Sequence, residues 1–130
     1  MINFLKQFVV VVPVFLILDG IWLLGVANKF YKTNLGLLMR TQVNWLAVSL
    51  AYLFLVLGII FFILPKVNTS LQALGWGALF GFISYGIYDM TNMATLNGWT
   101  WKISIVDMIW GAVLCGLVSM ISVYILNWFK

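Results

Sequence analysis

The chain has three acidic residues, Asp19, Asp89 and Asp107, and each falls inside a long apolar stretch. A charged carboxylate at bilayer depth costs about 2.5–3.5 kcal/mol on insertion scales, so it faces a partner, a cavity or a ligand rather than lipid. The surroundings of Asp89 sharpen the pattern. At about 100° per residue, Tyr85, Tyr88, Asp89 and Asn92 fall within one arc of about 100° on a helix. Trp22 and Trp110 each follow an Asp by three residues. Asp19, Trp22, Tyr85, Tyr88, Asp89, Asn92, Asp107 and Trp110 are therefore the candidate ligand-binding residues. Carboxylates hold cationic or hydrogen-bonding groups, and phenols and indoles line the space around them. Two buried acids close together do not both ionise readily, which links such a site to protons.

Composition says what must position these groups. Hydrophobic residues make up 65% and charged residues 8% of 130, against roughly 45–50% and about 25% in soluble domains. Too little polar surface exists to cover a water-facing core, so lipid is the solvent. Four apolar stretches, at approximately 8–27, 43–64, 73–96 and 103–128, each approach the ~20 residues needed to cross a bilayer. Lys6 and the small-x-small pattern of Gly25-Val26-Ala27 give the first stretch the look of a signal peptide. Its apolar run is longer than a signal core of about 7–15 residues, so it reads as a retained helix.

Connections between the stretches are short, apart from a first loop expected over 28–42. This predicts an all-α integral membrane four-helix bundle, up-down-up-down, one domain over 1–130 with both termini on the same side. The acids then share the half of the membrane next to the first and third loops. Lys6, Lys66 and Lys130 on one side oppose Lys29, Lys32, Arg40 and Lys102 on the other, which leaves orientation undecided. Lys29, Arg40 and Lys102 are near enough in depth to pair with a carboxylate. Asn44 opens the second stretch, and Gly77 and Gly81 form a small-xxx-small spacing that admits a neighbouring helix. Trp45, Trp99, Trp101 and Trp128 suit an interfacial belt.

Absent residue types exclude whole chemistries. Without His there are no imidazole ligands and no Ser-His or Cys-His pair. The single Cys115 packs as a small hydrophobe. No cofactor and no metal site are expected. Basic residues form no cluster or stripe, so nucleic acid is not a partner.

The run from Tyr85 through Tyr88-Asp89-Met90-Thr91-Asn92-Met93-Ala94-Thr95-Leu96-Asn97-Gly98-Trp99 resembles small bacterial membrane proteins of the DUF2177 family, a domain of unknown function. The segments Asp107-Met108-Ile109-Trp110-Gly111 and Asp19-Gly20-Ile21-Trp22-Leu23 are similar to that family too, and the likeness spans most of the chain. The resemblance implies a polytopic protein of the bacterial inner (cytoplasmic) membrane and brings no reaction with it.

Three uses of the site follow. The first is binding or permeation of a small or cationic ligand, linked to protons. The second is a non-catalytic subunit whose polar face docks a larger complex. The third is an enzyme, or its accessory, modifying lipid or isoprenoid substrates, with Asp89 and Asp107 as acid and base. The lipid bilayer is the constant partner, and so small a bundle leaves room for a homodimer or a larger membrane complex.

Overall fold

A computed structural model describes residues 3–130. Among them there is no strand, and four continuous helical segments account for nearly the whole chain. The first runs over Phe4–Leu38 and the second over Trp45–Lys66. The third is Ser70–Thr95 and the fourth Trp101–Trp128.

Each start is written in the local sequence. Asn3 accepts a hydrogen bond from the Lys6 N–H at 3.0 Å, and Asn44 from the Ala47 N–H at 3.1 Å. Asn44 thus closes a helix end rather than joining a polar site. Thr69 accepts from the Gln72 N–H at 3.2 Å while Gln72 Oε1 accepts from the Asn68 N–H at 3.0 Å, a reciprocal cap. Thr100 accepts from the Ile103 N–H at 3.3 Å.

The first helix corrects the expected loop over 28–42. Asn28, Lys29 and Lys32 are polar, but nothing in them breaks a helix, and the segment Asn28–Leu35 is α-helical. The break comes at Gly36, whose φ of 51° leaves the right-handed region, and Met39 beyond it is extended. Between the two α-helical parts, Leu23–Ala27 forms a single π-helical turn. Such a turn inserts one residue into the helix and swings everything after it by about 100°.

Three helices, Phe4–Leu38, Trp45–Lys66 and Trp101–Trp128, are long and apolar enough to cross a membrane, with mean hydropathies of 2.5, 2.8 and 2.2. The third, at 26 residues, has the length but not the same apolarity, because Gln72, Ser84, Tyr88, Asp89, Thr91, Asn92 and Thr95 interrupt it. All four expected stretches are helices of span length, and three of them carry the full apolarity of a membrane span. Large aliphatic and aromatic side chains such as Leu16, Leu24, Phe54, Phe61, Ile87 and Ile109 face outward. That exterior suits lipid and would be costly in water.

The fourth helix is central, packing along the third and against the first. Its seam with the third is glycine-built. An added Cβ at Gly81 would overlap the Gly111 carbonyl and lie 2.8 Å from Cys115 Cβ, and one at Gly77 would lie 2.5 Å from Ser119 Oγ. Gly111 in turn receives the Tyr85 ring. The spacing of Gly77 and Gly81 therefore does what small residues do at helix interfaces: it lets two backbones touch. The second helix packs on the first, where Phe4 stacks on Phe61 at 5.7 Å and Phe15 meets Tyr52 at 5.2 Å.

Candidate functional site

The third-to-fourth seam has a register that carries into the site. Stepping by one helical turn, Gly77, Gly81 and Tyr85 meet Ser119, Cys115 and Gly111 in opposing order. The next step on each side is Asp89 and Asp107, and these two carboxyls lie within interaction range of one another. Gly98, with φ 88°, lies midway between them in the chain and turns it back. Asp89 is 0% exposed. Neither of its oxygens has a hydrogen-bond donor among the described residues.

On the other side of Asp107 lies a cavity of about 280 Å³. The first, third and fourth helices wall it, with the segments that follow the first and third closing it. Asp19, Trp22, Tyr85, Tyr88, Asp107 and Trp110 line it, so six of the eight sequence candidates come together there. Asp89 and Asn92 do not. The seam turns Asp89 into the helix interface behind the cavity. Asn92 is half-buried, one turn beyond Tyr88 on the third helix, and its backbone carbonyl accepts the N–H of Leu96 at 2.9 Å. The expectation that all three acids open onto one pocket is corrected to two, with the third backing one of them.

Each lining acid is held by aromatic donors. Asp19 accepts from the Trp110 indole N–H at 3.1 Å through Oδ1 and from the Tyr52 hydroxyl through Oδ2. Asp107 Oδ1 accepts from the Tyr31 hydroxyl. The rings of Trp22 and Trp110 stack at 4.5 Å with 9° between planes, tying the first helix to the fourth next to Asp19. Tyr88 meets Trp99 edge to face at 5.9 Å, and the Trp99 indole donates to Ser104 Oγ at 3.0 Å.

Tyr31, Tyr52 and Trp99 are the residues that sequence reasoning left out. Tyr31 fell in an expected loop. On an unbroken α-helix it would stand about 120° around from Asp19, and the π turn reduces that to about 20°. Tyr52 lies in a stretch whose other polar residues are Asn44 at its start and Ser49, and its partner Asp19 is on a different helix. Trp99, expected in the interfacial belt, lines the cavity. By contrast Trp45, Trp101 and Trp128 are exposed.

Electrostatically the cavity is one-sided. Two carboxyls and six aromatic rings line it, and no lining residue is Lys or Arg. Lys29, Arg40 and Lys102, candidates for pairing with a carboxylate, are exposed and line no part of it. Lys29 and Lys32 border a separate surface cleft with Asn28 and Thr33, and the Lys102 ammonium sits 5.9 Å from the Phe30 ring centre. Among the described residues, no three side chains of metal-ligating type cluster together.

No curated protein and no solved structure matches the chain. The family described as "Predicted membrane protein (DUF2177)" matches residues 4–124, including both acids of the cavity and the one behind it, and the chain belongs to that family.

Proposed function

We propose that this membrane protein binds a small organic cation in the cavity between Asp19 and Asp107, and releases a proton as it does so. The observation that carries the reading is the lining: two carboxyls among the faces and edges of Trp22, Trp99, Trp110, Tyr31, Tyr85 and Tyr88, with no basic side chain. Aromatic faces attract a quaternary or protonated amine by about 0.5–2 kcal/mol each, more when water is excluded. The carboxyls supply the countercharge. An anionic ligand would meet neither.

Asp89 supplies the link to protons. Buried and without a donor, it gains one if a proton sits between it and Asp107. A cation arriving at Asp107 takes over the charge compensation, and the proton leaves. One positive charge enters and one departs, so the buried site keeps its net charge.

The surrounding architecture in this reading is an up-down-up-down bundle whose third helix crosses alongside the fourth. Both termini lie on the same side of a bacterial inner membrane. Opposing residue order along the first-to-second and third-to-fourth contacts supports it.

The test is titration of the purified full chain, in sugar-headed detergent micelles, with tetramethylammonium, following heat and proton release in weakly buffered solution. Saturable binding that disappears in Asp107→Asn and Asp19→Asn, with helicity retained, is the expected result. Wild-type protein that takes up no tetramethylammonium, or an Asp107→Asn variant that binds it equally well, would sink the reading.

A further inference from the structure

A second and larger space opens from the same acid toward the bilayer. The second and third helices are neighbours in the chain, yet along most of their length they stand apart. They close on each other around Ile59–Ile63 and where Phe80 fills the space beside Gly58. From that apex a wedge of about 640 Å³ widens toward the other end. Val48, Ala51 and Leu55 form one wall, Phe80 and Ser84 the other. Ala51 and Phe54 are exposed at its mouth, which faces outward rather than into the bundle. At its inner edge the wedge reaches Tyr85, Tyr88 and Asp107, three residues that also line the polar cavity.

We infer that this wedge seats the alkyl chain of a cationic amphiphile that enters sideways from the bilayer and places its ammonium head against Asp107. The inference rests on the cation-binding reading above and names the class of ligand. Three features carry it. The walls are apolar except for Ser84 and the tyrosine hydroxyls, which suits a hydrocarbon chain and excludes a hydrated one. The polar end carries a carboxyl and no basic residue, so the complementary head is cationic and a phosphate-bearing head is repelled. The wedge and the cavity share residues, so one molecule can occupy both.

The experiment compares two probes, tetramethylammonium and decyltrimethylammonium, on wild type, Ala51→Phe and Ser84→Leu, all full-length in sugar-headed micelles. Neither substituted residue touches the acids, and Ala51 is exposed, so a larger side chain there fills the wedge without disturbing the bundle. Wild type is expected to bind the decyl probe at least ten-fold more tightly than tetramethylammonium. Either variant should lose most of that advantage while its tetramethylammonium affinity stays within two-fold. Micellar partition of the decyl probe is common to all three proteins, so the difference between proteins is the readout. If tetramethylammonium binds but the decyl advantage is equal in wild type and both variants, the wedge does not hold the chain and this inference fails alone. If neither probe binds wild type, the cation reading itself fails and takes this inference with it.

Discussion

Asp89 of the third helix and Asp107 of the fourth occupy the same rung of an antiparallel seam, one helical turn beyond the contact of Tyr85 with Gly111. The rungs before it are closed by glycine, cysteine and serine, which let the backbones approach. That closeness brings two carboxyls together in a place lipid cannot hydrate. One of them reaches the cavity and the other does not; in the proposed function Asp107 meets the ligand and Asp89 holds the proton that the ligand displaces.

Asp89→Asn tests this division. An amide donates to Asp107 permanently, so the pair no longer needs a shared proton. Tetramethylammonium binding should persist, weakened about ten- to 150-fold by the fixed donor, which corresponds to the ~1.5–3 kcal/mol of one hydrogen bond to a charged group. Proton release per bound cation should fall to near zero. Release that continues unchanged would place the proton elsewhere.

Proton displacement fixes the sign of the pH dependence. In the proposed exchange protons and the cation compete for the same carboxyl pair, so affinity should rise as pH rises and fall as pH falls. Isothermal titrations across pH 5 to about 9 should show this slope in wild type and a flattened one in Asp89→Asn. A slope of opposite sign would mean that a group on the ligand side, not the carboxyl pair, is titrating.

Gly81→Ala should destabilise the bundle without removing any chemical group. The new methyl overlaps the Gly111 carbonyl, a backbone atom that cannot rotate away. A loss of about 1–3 kcal/mol is expected, read as a lower thermal midpoint by circular dichroism in micelles. Gly75→Ala, where nothing lies within 4 Å, is the control and should hold the midpoint or raise it, since alanine favours a helix over glycine by about 0.5–1 kcal/mol.

Deletion of Leu24 removes one residue from the π turn. Leu24 is 89% exposed, so its own packing contributes little. Shortened by that residue, the helix can run unbroken, and the step lost offsets the rotation lost with the turn, so Tyr31 keeps its place about 20° around from Asp19 and its bond to Asp107. Cation affinity should therefore stay near that of wild type, and Tyr31→Phe should lower it by the same factor in either background. A deletion that costs as much affinity as Tyr31→Phe would show that the turn does more than set this register.

Trp110→Phe separates ring from donor. Stacking on Trp22 is kept in part, while Asp19 loses the 3.1 Å indole bond and retains the Tyr52 hydroxyl. The expected result is a modest affinity loss, about ten-fold or less. Trp110→Ala should lose more, since a cation then lacks the aromatic face as well.

Helix content and a lipid-facing exterior were legible from the chain itself. Both follow from a local property, unbroken apolar runs of span length. The gathering of polar groups was legible too, because Asp19, Asp89 and Asp107 have no local reason to lie in apolar helices. What composition and periodicity left undetermined was which way each helix is turned. Tyr31 reaches Asp107 because a single π turn rotates the end of the first helix, and no residue type announces such a turn. Asp89 turns away from the cavity because glycine contacts set the seam with the fourth helix, a pairing between segments that neither segment specifies alone. Tyr52 finds Asp19 across two helices for the same reason. Sequence determines the energy of placing a carboxyl in lipid; the partner that relieves it depends on rotation and register, which only the packed bundle decides.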